Sequence, residues 1–534
     1  MCVLREEDAT AQRRPFPLGR WVSLVPSLSD VAFLMPILVL FRCTTGVGWL
    51  LSDSDTGWHI RTGEWILSKR QIPSSDLFSF TRTGQPWFAW EWLSDVSMAA
   101  AHSHFGLGGV VFLSVLVLGA TSLSIYRNTV EACHHRLIAI SLTSLAMAAS
   151  TIHWLARPHL VTPLLAAVFC CVLDRVEKTG DERFLLWPPA LTMLWVNLHG
   201  GFFVGIILLM TYGLGAAAEE LVHGRWNSGW VRARKYLLTA AACVVASLLN
   251  PYGYRLQVHV AQYLGSSFYF KRISEFQSVD FHSFTAAYVE TLLVLAIAAA
   301  AWHLGKGRLI HALLLLSWSH FALFSVRNIP IFAVVSAPGI GLAIRDWWQF
   351  ANSGWPVDWR RKLLACLVEL ETGLQAIATN GRRRHWHLAP WITILVLALL
   401  LSRPGHVKAL HADFDANAFP TDAATFLFRN EPALPLRLYA SWQWGGYLIY
   451  RLWPSIRVFD DGRTDFYGPR FVEQGLRTWE AGPDWAEILA QYRVNAALLP
   501  VDSPLATVLG ESAEWKLMYS DRVALMFVKK TNER

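Results

Sequence analysis

Residues 52–66 read SDSDTGWHIRTGEWI, and residues 86–95 close the same segment with PWFAWEWLSD. In between, Asp53, Asp55, His59, Arg61, Glu64, Asp76, Glu91 and Asp95 lie among a dense set of tryptophans and phenylalanines. A solvated loop has no use for so many rings, and a spanning helix cannot hold so many carboxylates cheaply. The pattern predicts a structured loop at a membrane surface, presenting acids where a lipid-borne substrate can reach them. The apolar run before it, from about Val31 to Leu51, is too long for a cleaved leader and lacks a small-residue cleavage site. It reads as a retained signal-anchor.

The rest of the chain agrees. Of 534 residues, 53% are hydrophobic and only 16% charged, against about 25% charged in soluble domains. The 26 tryptophans fit anchoring at the headgroup level. A net charge of +7 would suit nucleic acid, but the basic residues sit between apolar runs, as membrane topology requires, so no nucleic-acid partner is expected. The seven cysteines show no CxxC or metal-ligand spacing, which argues against a disulfide framework. No P-loop, GxSxG, HExxH or dinucleotide fingerprint occurs.

A span needs about 20 mostly apolar residues. Runs near 31–51, 108–126, 137–155, 159–174, 184–198, 201–221, 236–251, 286–304, 309–326, 329–346 and 387–402 give about eleven. Every alternate connection is basic, for example Arg232, Arg234 and Lys235, which puts the N-terminus inside. The expected fold is a polytopic α-helical membrane protein of the cytoplasmic membrane. Residues 1–402 form its transmembrane domain with an outer loop 52–107, and 403–534 form a small α/β domain outside. In that tail LRLYA, YLIYRLW, SIRVFDD, NAALLPV, WKLMYS and VALMFVKK read as strands, with FVEQGLRTWEA and DWAEILAQY as helices. The stretch 347–386 reads as an amphipathic helix along the inner face.

Asp53 and Asp55, one residue apart, can share a hard cation such as Mg or Mn, or one of them can act as a general base. They can equally cap the helix that follows. His59 and Arg61 shortly after, with Glu91 downstream, favour a functional reading, and Asp55 with Glu91 form the candidate metal pair. Arg157 and His159 occupy an outer turn, where arginine suits bidentate phosphate contact or snorkels to headgroups. His199 interrupts an apolar stretch beside two glycines, and Arg255 and Arg327 end outer turns. The positive-inside bias opposes arginines on that face, so their convergence points to an anion site. In the tail, Trp442, Trp444 and Tyr447 form either a substrate platform or aromatic packing.

At these residues the chain resembles membrane glycosyltransferases of the GT-C superfamily. The resemblance covers the overall plan and, more narrowly, a bacterial group with the blocks DTxWHxxxGxWI, EWL, RPHL, NLHGG, NPYG and WxWGGYL. These stand here at 55–66, 91–93, 157–160, 197–201, 250–253 and 442–448. It implies a polyprenyl-phosphate-linked sugar donor and inverting transfer to a glycan, lipid or protein acceptor outside the cytoplasmic membrane. The superfamily's loop acid, a base or a metal-binding carboxylate, matches Asp55 or Asp53. WQWGG is similar to the WWDYG block of oligosaccharyltransferase catalytic subunits, but Gln443 and Trp444 stand where that block has its aspartate. Two other classes remain open: a lipid or polysaccharide transporter or flippase, and a non-catalytic envelope assembly protein.

Overall fold

The computed structural model describes residues 26–42, 46–352, 369–373, 388–401, 411–430 and 436–530. Most of the helix expected over 347–386, and the expected domain boundary at 402–403, lie outside the described residues.

Among the described residues, six helices have the length and apolarity to cross a membrane: Trp92–Cys133, Arg136–His153, Pro158–Thr179, Gly200–Val222, Ala286–Gly305 and Val326–Phe350. Leu28–Leu40, Leu309–Phe324 and Pro390–Leu401 are apolar but shorter. The remaining expected runs form Trp187–Leu198, of 12 residues, and Trp226–Ala246, which carries Arg232, Arg234 and Lys235. The 42-residue helix Trp92–Cys133 is far longer than a bilayer needs. It is broken at Gly106, whose φ of 60° and ψ of −153° only glycine adopts at ease. The amphipathic start 92–105 is thereby set apart from the apolar part that follows.

The connections gather at two ends. At one, Arg232 pairs with Glu177, Glu219 and Glu220, and Arg308 with Asp346. At the other, Ala156 N–H donates to Leu50 O at 2.7 Å, and Arg157 reaches Asp53 and Glu275.

The C-terminal unit is a five-stranded sheet, β1 (Arg437–Ala440), β2 (Arg457–Val458), β3 (Ala496–Pro500), β4 (Trp515–Ser520) and β5 (Ala524–Lys529), in the order β2-β1-β3-β5-β4. β1 runs parallel to β2 and β3, and β5 antiparallel to β3 and β4. The strand expected at YLIYRLW is instead helix, Trp442–Leu452. Its β-rich composition gives way to tertiary fit, because paired glycines let a helix lie directly on the helix Asp55–Lys69. A Cβ on Gly446 would stand 2.3 Å from Ser54 O, and one on Gly57 would stand 2.3 Å from Gly446 O. The first loop also joins the sheet edge, where Phe80 N–H donates to Val458 O and Val458 N–H to Phe78 O. The acidic loop and the C-terminal unit are thus built onto each other.

Candidate active site

The helix Asp55–Lys69 starts with a turn closed by Asp53, whose Oδ1 accepts the Asp55 N–H at 2.7 Å. The capping reading therefore describes Asp53, and its other oxygen still reaches Arg157. Asp55, in the first turn, is fixed from the C-terminal unit. A Cβ on Gly462 would lie only 1.9 Å from Asp55 Oδ1, so backbone alone can pass there. On the other side Thr56 Oγ1 donates to Ala156 O at 3.1 Å, which brings the 154–157 segment and Arg157 against the acids.

Arg157 stands among three carboxylates. Its Nη1 lies 2.7 Å from Asp53 Oδ2 and 3.0 Å from Glu275 Oε1, and its Nη2 lies 3.2 Å from Asp55 Oδ2. Glu275 also accepts from Arg327, at 2.8 Å from Nε and 2.6 Å from Nη2. One carboxylate thus bridges two guanidiniums. Against burial, which would raise it, Arg327 and then Arg157 hold the Glu275 carboxyl well below its ordinary range. Asp55 is pushed up to about 7, by burial first and then by Asp53, with Arg157 opposing.

A second group faces the first. His59 Nδ1 lies 2.6 Å from Asp95 Oδ1, and its Nε2 lies 3.8 Å from Glu91 Oε2. His199 Nε2 lies 3.4 Å from Glu91 Oε1. Burial, opposed chiefly by Arg157, raises Glu91 to about 7. Burial, then Arg157, holds His59 well below its usual value, so the ring is neutral at pH 7. His199 is lowered to about 3, by burial and then by Arg327.

Members of both groups line one cavity of about 500 Å³, within the range of small-molecule sites. Asp55, His59, Glu91, Arg157, His159, His199 and Arg327 line it at the polar end. Val204, Ile207, Val260, Phe270, Phe321 and Ile331 form apolar wall. His159 donates from Nε2 to His153 O at 3.0 Å, which leaves its Nδ1 as an acceptor. The loop 252–285 is latched across the site, with His259 3.0 Å from Asp465 and stacked on Trp90.

Six of the expected site residues do not line the cavity. Asp53 is one, held on the Asp55 N–H and on Arg157. Arg61 lies on another face of its helix and donates to Glu64 and to Tyr450 O. Arg255 is exposed, with its guanidinium 6.0 Å from the Phe88 ring. Trp444 is buried with Nε1 on Ala418 O, Tyr447 packs against Phe414 and Phe419, and Trp442 is exposed. The contacts of Trp444 and Tyr447 thus lie within the C-terminal unit, as aromatic packing. Conversely, Glu275 and Thr162 enter the site without any motif signal. Asp95 stood among the acids of the 52–95 segment but not among the candidate site residues, although it lies one helical turn from Glu91.

The expected cation does not fit. Asp55 and Glu91 face different partners, and no three His, Cys, Asp or Glu side chains converge as a metal site among the described residues. The Arg157 guanidinium already fills the place between Asp53, Asp55 and Glu275.

No protein-family model and no curated protein matches the chain by sequence. Among solved structures it is similar to the Archaeoglobus fulgidus oligosaccharyltransferase in its apo form. That match has 12% identity and a TM-score of 0.55, covering 90% of this chain and 70% of that one. The same organism's oligosaccharyltransferase AglB, in complex with an inhibitory peptide and a dolichol-phosphate, matches at 11% identity and TM-score 0.55, over 97% and 75%. ArnT from Cupriavidus metallidurans, bound to undecaprenyl phosphate, matches at 15% identity and TM-score 0.47, over 94% and 98%. The fold is thus similar to that of these oligosaccharyltransferase structures.

Proposed function

We propose, with that fold as premise, that the protein is a membrane glycosyltransferase using a polyprenyl-phosphate-linked sugar donor. The observation that carries the reading is one cavity whose lining joins carboxylates and arginines to an extended apolar wall. That division suits a lipid with a phosphate head, and a protein of this fold has been seen with dolichol-phosphate. The acceptor is a hydroxyl or amine of a glycan, lipid or protein.

Asp55 is the base. An acceptor oxygen forms its bond to the anomeric carbon while the carbon–phosphate oxygen bond breaks on the opposite side, inverting the centre. The electron pair leaves on the phosphate oxygen, and the acceptor proton passes to Asp55. A base titrating near 7 is matched to this task at neutral pH. Arg157 and Arg327 offset the charge developing on the departing phosphate. Glu91, held between His59 and His199, faces the same space and orients the acceptor. No step passes through a metal ion.

We read eleven spans, a transmembrane domain over 1–402 and an extracytoplasmic domain over 403–534. The alternation of basic connections supports placing the cavity at the outer face of the cytoplasmic membrane. The test is Asp55→Asn in the purified full chain, assayed for sugar transfer from a polyprenyl-phosphate sugar. The expected loss is about 10²-fold or more with insertion and folding intact. Wild-type turnover in that variant would sink the assignment.

A further inference from the structure

We infer that the donor joins lipid and sugar through a single phosphate and not through a diphosphate. The inference rests on the glycosyltransferase reading of the cavity and narrows it to one donor class.

The argument is the charge already present around the place where the phosphate must sit. Two guanidiniums, Arg157 and Arg327, face it, and no lysine lines the cavity among the described residues. Neither guanidinium is in surplus. Arg157 carries Asp53, Asp55 and Glu275, and Arg327 carries Glu275 through two of its nitrogens. Two positive charges thus meet three carboxylates. The other charged groups bring no relief. Glu91 adds a carboxyl, Asp465 holds His259, and Arg463, whose buried Nη1 has no hydrogen-bond partner, already faces two carboxylates, Asp76 and Asp461.

An entering phosphodiester brings one negative charge, and a diphosphate brings at least one more. Each must be met by drawing a guanidinium partly away from a carboxylate, which is costly when the group left behind is buried. One charge can be shared between two arginines, whereas a second would have to draw on Arg463, whose single positive charge already meets two carboxylates. The transfer step keeps this balance. The phosphodiester becomes a monoester with one further negative charge, while Asp55 loses one by taking the acceptor's proton. The space agrees with the charge. Phe324, Pro330 and Ile331, within four residues of Arg327 on either side, already belong to the cavity wall. The apolar lining therefore begins close to the arginine that would hold the head.

The full-length protein in lipid nanodiscs is titrated with farnesyl phosphate and with farnesyl diphosphate at neutral pH. Binding of the monophosphate is expected to be about tenfold tighter, equivalent to about 1.4 kcal/mol. Equal or tighter binding of the diphosphate overturns the inference and leaves the glycosyltransferase reading standing. Failure of both to bind overturns that reading itself. Glu275→Gln removes one competing carboxylate and is expected to reduce the preference for the monophosphate. Asp53→Asn does the same should the first variant not fold. An unchanged preference in a folded variant overturns the charge argument.

Discussion

The Thr162 hydroxyl lies 2.7 Å from Nδ1 of His199, the same nitrogen that accepts the Gly201 N–H at 3.0 Å. A backbone amide can only donate, so Nδ1 carries no proton and Thr162 must donate to it as well. Trp195 Nε1–H donates in turn to Thr162 Oγ1 at 3.1 Å, which gives the chain one direction. The His199 proton is thereby placed on Nε2, facing Glu91 at 3.4 Å. Thr162 and Trp195 are positioning residues for this donor.

Thr162→Val removes one of the two donors that fix the ring and leaves Trp195 Nε1–H without its acceptor. Loss of one such bond is worth about 1 kcal/mol, so kcat is expected to fall about fivefold. The pH dependence of kcat/KM shifts with it, and Thr162→Ser restores both. A fall in kcat with an unmoved pH profile would reduce Thr162 to a packing residue.

Much of this site was legible because charge among apolar runs needs a reason. Asp55, His59, Glu91, Arg157 and His199 all stood out on that ground, and all face one cavity. Helical geometry separates His59 from Arg61, though adjacency in sequence hides it. At about 100° per residue, His59 lies about 40° round from Asp55 and Arg61 about 240°. Glu275 was not legible, because only the three-dimensional meeting of loop 252–285 with Arg157 and Arg327 gives it a role. The WQWGG block was legible as special, but its reason is steric. Its glycines let one helix meet another, and local composition cannot say which surface a glycine must approach.

Gly462 tests that steric reading on the reacting group. A Cβ there would fall 1.9 Å from Asp55 Oδ1, too close for any contact. Gly462→Ala must push the carboxylate aside, and misplacing a catalytic group by about 1 Å costs on the order of 10²-fold in rate. The expected result is that loss in kcat with binding of farnesyl phosphate changed far less. A variant with wild-type kcat would show that the position of Asp55 does not matter.

Metal removal is expected to leave activity within twofold of the untreated enzyme. Arg157 already stands between the carboxylates a cation would need, and Arg157→Gln removes that positive charge. The variant is expected to lose about 10²-fold or more in transfer, since a preorganised donor aimed at developing charge is worth that much. Inactivation by a chelator, reversed by added magnesium, would refute the guanidinium's role as the built-in cation.

Activity and stability are expected to respond to pH in opposite directions through Asp55. As a base it must be ionised, so kcat/KM rises with pH and levels off above about 7. Its folded pKa is raised from the ordinary 3.8 to about 7. Between these values the folded protein holds a proton that the unfolded chain has lost, so this group's contribution to stability falls as pH rises. His59 and His199, lowered by burial, act in the other sense below 6.5, where the unfolded chain is the better proton binder. The total curve therefore mixes both. Asp55→Asn isolates one group, since it removes the Asp55 titration and leaves the histidines in place. Thermal unfolding of the two proteins should show the Tm advantage of the wild type shrinking from pH 3.8 to about 7 and constant above it. A difference that grows with pH below 3.8 and stays flat across that window would mean that Asp55 is ionised in the fold and held there by Arg157, and the assignment of the base would pass to Glu91.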